Sequence, residues 1–383
     1  MDLTYDIVYE SCPWHKRVSL FNEHKKLLSL HQDFENNLYK EGAVIVGRIR
    51  TITQGLNAAF VDIGDIDDGF LPLNKIPKDM GHVCEGQAIV VRVVRERVEG
   101  KGATLNANVL HNMPEGTLSL PMVLEGPPVA LSRALMNAGA SPVRVWINDA
   151  RFRVEALKFI PETKVFQLDQ HEDVDLLDKL DDELSLLSGE EFPLLGGGCI
   201  TIEPTKALTT IDVDSGSMTM GSKEDLAFQV NMLASEEIVR LCGILNIGGS
   251  VIVDFISLRD GSRRTQVAAH LRDLFAARDH RKVEVLKMSR FGLLEFNREK
   301  TGTTLLKTLQ KPDVIASDIL LKLWRAKPGS KIFRVEASVD VVDILKAKLT
   351  ASAAIAYLGR PVEIISKGEF SSDRYAISSN DIL

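Results

Sequence analysis

A mixed α/β, multidomain (α+β) architecture is predicted by three features of the 383-residue sequence. The chain is longer than a single compact core usually serves. Short β-rich runs crowd together between Gly42 and Asn112, the rhythm of a small closed barrel. A strand, helix, strand, helix, strand succession then runs from Cys199 to Leu286, the pattern of a βαβ sheet.

In chain order, residues 16–30 give two alternating runs about an Asn22-Glu-His-Lys25 turn, so a hairpin opens a first small sheet. Strands 44–52, 58–63, 69–73 and 88–98, separated by Gly, Asp and Asn, build the barrel. Residues 113–140 are Pro- and Gly-rich around Glu125-Gly-Pro-Pro128 and read as a connector with a short helix at 130–137. Strands resume at 143–147, 152–154 and 165–168, and the acidic stretch 173–183 reads as a solvated helix face. Gly196-Gly-Gly198 punctuates a boundary.

Beyond it come strands 199–204 and 206–213 and a helix over 224–241 with Leu226, Val230, Leu233 and Ile238 on one face. Strand 250–256, helix 263–278 and strand 282–286 follow, and βαβ crossovers place the C-terminal ends of parallel strands on one edge. Lys300-Thr-Gly-Thr-Thr304 is a weak break before a last α/β unit: helix 316–325, strand 331–337, helix 340–350 and strand 362–365.

A net charge of −7 excludes a uniformly basic nucleic-acid coat, so a polyanion must be met by local basic patches. Cys12, Cys84, Cys199 and Cys242 are far apart and contain no Cys-x-x-Cys, which indicates reduced thiols rather than a zinc site or a disulfide framework. The N-terminal residues lack a basic region followed by an apolar one, and no segment approaches eighteen continuous apolar residues. The expectation is a soluble cytoplasmic protein without a membrane anchor.

The chemistry concentrates in two strands tipped with acids, Ile211-Asp212-Val-Asp214-Ser-Gly and Val251-Ile-Val-Asp254-Phe-Ile. Alternate strand residues share a face, so Asp212 and Asp214 point the same way about 7 Å apart, and an adjacent parallel strand would bring Asp254 within about 5 Å. Hard oxygen donors with no His or Cys nearby suit Mg²⁺ or Mn²⁺ rather than zinc. Such an ion serves phosphodiester hydrolysis. Asp214-Ser-Gly is equally turn chemistry, and Asp212 alone could be a buried acid satisfied by backbone amides. Arg259, Arg263, Arg264, Lys287 and Arg290 follow the acid-bearing strands and would surround them, or simply cover helix surfaces.

In the barrel, Phe60 and Phe70 lie ten residues apart across a turn, near Arg92, Arg95, Arg97 and Lys101. Exposed aromatics on an OB-type barrel are platforms for unstacked bases, although a lone strand phenylalanine is more often core.

Several runs together resemble the ribonuclease E/G family: Ala58-Ala-Phe-Val-Asp-Ile-Gly64, Gly69-Phe-Leu-Pro-Leu73, Gly100-Lys-Gly-Ala103, Ile202-Glu-Pro-Thr-Lys-Ala-Leu208, the two acid-tipped strands, and Ser289-Arg-Phe-Gly-Leu-Leu-Glu295. The resemblance implies an RNase-H-like subdomain in two parts (1–41 and 141–195) with an inserted S-one type OB-fold domain (42–112). It also implies a connector where the family carries its 5′-sensor region (113–140), a DNase-I-like catalytic subdomain (196–300) and a small C-terminal domain (301–383). The implied activity is a Mg²⁺-dependent endoribonuclease acting on single-stranded ribosomal, transfer or messenger RNA. Asp212 and Asp254 match the catalytic, metal-binding aspartates, Asp214 the third metal position, and Phe60, Phe70, Lys101 and Arg290 RNA-binding positions.

The sequence departs from the family at three places. Asp214 stands where the family has Asn, the connector lacks an Arg-Thr-Ala-Gly 5′-sensor run, and no Cys-Pro-x-Cys zinc link occurs between Glu299 and Ser317. No zinc and no zinc-bridged dimer are therefore expected, and the oligomeric state is open. A non-catalytic RNA-binding or ribosome-associated protein on the same fold is the competing reading, and carboxylate chemistry alone would also serve a DNA nuclease.

Overall fold

The computed structural model describes residues 4–34, 38–97, 101–114, 119–168, 174–218, 221–300, 304–326, 331–370 and 374–381. The chain forms two compact units, one from Met1–Gln32, Ala134–Lys300 and Thr304–Leu383, the other from Asp33–Arg133.

The first unit begins with β1 (Tyr5–Cys12), β2 (His15–Phe21) and β3 (Leu27–Phe34). The β2–β3 turn is the expected one: Asn22 Oδ1 accepts from the His24 and Lys26 amides, and Lys25 adopts φ 58°. Strand β1 precedes it and is antiparallel to β2. Its pattern is hidden in the sequence because Asp6 and Glu10 are wholly buried. Both acids are paired there, Asp6 with Arg144, Lys25 and Trp146, and Glu10 with Arg17 and Arg325.

The second unit holds β4 (Val44–Thr53), β5 (Ala58–Asp62), β6 (Gly69–Pro72), β7 (Ala88–Arg95), β8 (Thr104–Asn106) and β9 (Met122–Glu125). The order β5-β6-β8-β7-β4, with β4 pairing back to β5, closes a five-stranded barrel around Ile45, Ile49, Val61, Leu71, Val91 and Leu105. Strand β7 stops at Arg95, and Val98 of the expected strand lies outside the described residues. Strand β9 comes from the expected connector and pairs with β4, so part of that connector extends the barrel sheet. Helix α1 (Ala130–Ala138) follows.

Strands β10 (Val143–Ile147) and β11 (Val165–Gln167) complete the first sheet in the order β11-β10-β1-β2-β3. Both newcomers run parallel to β1, so the sheet is built from two stretches of chain with the barrel's sequence between β3 and α1. The expected strand 152–154 is instead a 3₁₀ turn (Ala150–Phe152) leading into the one-turn helix α2 (Arg153–Ala156). A segment this short gives no period that separates strand from helix.

Helix α3 (Val174–Leu187) buries Leu176, Leu180 and Leu187. Asp173 lies outside the described residues, and of the remaining acids Asp181 and Glu183 are not merely solvated, since they pair with Arg325 and Arg240.

Next come β12 (Glu191–Pro193), β13 (Cys199–Pro204), β14 (Thr209–Asp214), α4 (Lys223–Ile244), β15 (Gly249–Asp254), α5 (Gly261–Arg278), β16 (Val283–Val285) and β17 (Leu293–Arg298). The sheet order is β12-β13-β14-β15-β17-β16. The glycine triplet 196–198 lies between β12 and β13, antiparallel neighbours of this one sheet. β14 and β15 are parallel across the α4 crossover, but β17 inserts antiparallel between β15 and β16. Its alternation ends on Arg298, buried through hydrogen bonds to Asp279 and the Ile247 carbonyl, both at 2.5 Å. Helix α4 is buried over a wide arc, because Asn231, Ser235 and Cys242 are covered as fully as Val230 and Ile238.

The unit closes with α6 (Leu305–Leu309), α7 (Pro312–Arg325), β18 (Lys331–Ala337), α8 (Val339–Lys348), α9 (Ala351–Ala353), β19 (Val362–Ser366) and β20 (Tyr375–Asp381). The small sheet has the order β19-β18-β20, and its core takes in Cys12 at the end of β1 and Trp14 in the β1–β2 turn.

Candidate functional site

Strict alternation fixes the carboxylates. Ile211 and Val213 of β14 and Val251 and Val253 of β15 are buried in the core shared with α4 and α5, which turns Asp212, Asp214 and Asp254 to the solvent face. Asp212 stands directly opposite Asp254 in the parallel register, with the strands about 5 Å apart. Neither of these two carboxylates has a hydrogen-bond or ion-pair partner among the described residues. They flank an open depression of about 350 Å³ lined also by Thr201, Glu203, Ile252 and Leu293.

Asp214 differs. Its Oδ1 accepts the Gly216 amide at 2.7 Å, so it shapes the turn that ends β14. Among the described residues no three His, Cys, Asp or Glu side chains are grouped to hold one metal ion, and the three aspartates therefore do not form a single cage. The physical reason is the strand rise: Asp214 sits two residues beyond the facing pair. The field of the acids is felt by Cys199, opposite Asp214 in β13, whose thiol is pushed up by burial and by Asp214, Glu191 and Asp212.

Two exposed, uncompensated carboxylates are the donor set that suits Mg²⁺, which takes one or two acids and keeps the rest of its shell for water and phosphate oxygens. Asp212 and Asp254 fit such an ion.

Backbone hydrogen bonds fix the chain after Asp254. Buried Asn231 clamps Ile256, donating from Nδ2 to its carbonyl at 2.8 Å and accepting its amide on Oδ1 at 3.0 Å. Glu224 accepts the Arg259 and Asp260 amides, and Arg264 donates to the Leu258 and Arg259 carbonyls. The Phe255 amide donates to Gly292 O at 3.1 Å, docking the loop before β17 against the end of β15.

Of the five basic groups read from the sequence, Arg263 pairs with Asp225 and Arg264 holds the loop just described. Arg259, Lys287 and Arg290 are exposed and have no ion-pair partner among the described residues.

On the barrel, Phe60 and Phe70 are a directly paired cross-strand couple, half-buried, with centroids 6.0 Å apart in an edge-on arrangement. The row continues through Thr51 on one side and Thr104 and Arg95 on the other. Lys101 is exposed, next to Gly102, where a Cβ would lie 1.9 Å from the Asp68 carbonyl oxygen. Arg97 is engaged by Asp65 and Asp67.

Sequence reading missed Asn231, whose partners are the backbone carbonyl and amide of Ile256, 25 residues away, and Phe291, which is 78% exposed beside Arg290. Among the described residues no helix is long and apolar enough to cross a membrane.

Residues 129–301 match the model of the ribonuclease E/G family. Ribonuclease E of Escherichia coli is 26% identical, over 72% of this chain and 34% of its own length. Ribonuclease E of Buchnera aphidicola is 25% identical over 73% of this chain and 42% of its own. Ribonuclease G of Salmonella typhimurium is 24% identical over 64% and 54%. The chain thus spans less than half the length of these ribonuclease E relatives.

Proposed function

We propose, from the match of residues 129–301 to the ribonuclease E/G family model, that the chain is a Mg²⁺-dependent endoribonuclease cutting single-stranded RNA. The observation that carries the reading is the facing pair Asp212 and Asp254, solvent-exposed and without a cationic partner among the described residues. When bound, a divalent ion supplies charge neutralisation at the phosphate and activation of water. The protein's part is positional. Asp212 and Asp254 would hold the ion, and Asn231 and Glu224 keep the segment after Asp254 in place. Arg290, Arg259 and Lys287 supply positive charge to the RNA backbone. Water oxygen bonds to phosphorus as the P–O3′ bond breaks, the 3′ oxygen takes a proton, and the products end in 3′-hydroxyl and 5′-phosphate. Phe60, Phe70 and Lys101 bind unpaired bases and backbone on the barrel. Asp214, already occupied by Gly216, shapes the turn and adds negative charge nearby.

The test is cleavage of an A/U-rich single-stranded RNA with and without Mg²⁺, alongside Asp254→Asn. We expect metal-dependent cutting by the wild type and a loss of at least about 100-fold in the variant, since one positioned electrostatic group is commonly worth that much. Equal cleavage by both proteins, or none by the wild type, overturns the assignment.

A further inference from the structure

We propose that Phe291 is a stacking platform for an unpaired nucleobase of the RNA nucleotide next to the scissile phosphate, an inference that rests on the reading of Asp212 and Asp254 as the cutting site. Phe291 is 78% exposed, the most exposed phenylalanine among the described residues. Large aromatics are usually sequestered, and one displayed beside a polar site points to recognition.

The display is built rather than incidental. Ser289 Oγ accepts the Phe291 and Leu293 amides at 3.2 and 3.1 Å, and Ser257 Oγ donates to the Phe291 carbonyl at 2.9 Å. Gly292 adopts φ +97°, and a Cβ there would lie 2.2 Å from the Phe255 carbonyl oxygen. The loop is therefore locked to the residues that follow Asp254 while its largest apolar side chain is left in water.

Its place suits a base. Leu293 lies opposite Asp254 in the β15–β17 register, and Phe291 is two residues further along, so its Cα is within about 10 Å of that of Asp254. Leu293 and Ile252 add apolar surface in the depression, and the exposed Arg290 adds positive charge on the same loop. A phosphate over the carboxylates leaves its neighbouring base within reach of this aromatic. Such stacking needs a base free of its duplex partner, which ties the preference for single strands to a residue of the cutting site itself.

A substitution cycle tests it. In the Asp254→Asn background, which keeps RNA intact, equilibrium binding of a single-stranded oligonucleotide is compared for Phe291, Phe291→Ala and Phe291→Tyr, with an abasic residue placed in turn at each of four nucleotides around the cut bond. Phe291→Ala should weaken binding about 5- to 100-fold and Phe291→Tyr far less, and one abasic position should reproduce the loss with Phe291 present yet add little to Phe291→Ala. Undiminished binding by Phe291→Ala overturns the inference, as do penalties that add at every position. So does a changed sedimentation coefficient with unchanged RNA binding, which would make Phe291 a protein contact. Cleavage by the Asp254→Asn protein at the wild-type rate instead removes the underlying cutting-site reading, so the two failures are distinguishable.

Discussion

Replacing Asn231 by Leu removes both hydrogen bonds that fix Ile256 while keeping a side chain of similar size in a site with no exposed surface. The leucine brings no polar group, so the loss falls on the Ile256 amide and carbonyl, each worth about 1–3 kcal/mol when left without a partner. Ile256 is half-buried, so water can recover part of that, and a destabilisation of about 2–4 kcal/mol is expected. The local effect should exceed the global one, because the clamp sits two residues past Asp254 on a loop already bonded to Gly292 and Glu224. Amide hydrogen exchange reads it directly: protection at Ile256 should fall by about 10- to 100-fold while Val251 and Val253, inside β15, change little. Urea unfolding gives the accompanying global value. Unchanged protection at Ile256 in the Leu variant would show that Asn231 does not hold the segment after Asp254.

Gly292→Ala forces a Cβ into the Phe255 carbonyl at a positive φ, so thermal unfolding should show a loss of about 1–3 kcal/mol, and a wild-type transition would refute the locked loop. Acid stability provides another test. Burial alone would raise the Asp318 carboxyl, but Arg17, Lys322 and the Tyr375 hydroxyl outweigh it and hold the group at about 2. A depressed folded-state value gives stability that is present above about pH 4 and lost as pH falls toward 2, worth about 2 kcal/mol. Asp318→Asn should therefore be less stable than wild type near pH 6 and converge with it near pH 2 in urea unfolding; a gap that stays constant across that range would contradict the linkage.

What could be read from sequence follows the physics of burial. β14 and β15 were legible because Ile211, Val213, Val251 and Val253 alternate with outward acids, a period-2 pattern produced by a sheet with one covered face. β1 was not, since Asp6 and Glu10 look like surface residues until Arg144 and Arg325, 138 and 315 residues away, neutralise them. β17 was obscured in the same way by Arg298. The apolar stripe read on α4 was narrower than its covered face, which takes in Asn231 and Ser235, polar but satisfied. In the candidate site, the facing of Asp212 and Asp254 could be anticipated from strand adjacency. The diversion of Asp214 into a turn depends on one backbone amide, and spacing alone left both readings of it open.

The ion-pair network around Glu10 and Arg17 has a consequence for the order in which the protein matures on the ribosome. Strands β1 and β2 are made well before β10, which must pair with β1, and Arg325 and Asp318 on α7 emerge roughly 300 residues after the charges they neutralise. At about 5–20 residues per second, that is roughly 15–60 s during which these strands have only their local ion pairs, Glu10 with Arg17 and Asp6 with Lys25. The barrel's strands and its closing β4–β5 contact are all encoded within Asp33–Arg133, so that unit can finish during the wait. The β1–β2 hairpin, made well before α7, is then among the last elements to acquire its native surroundings.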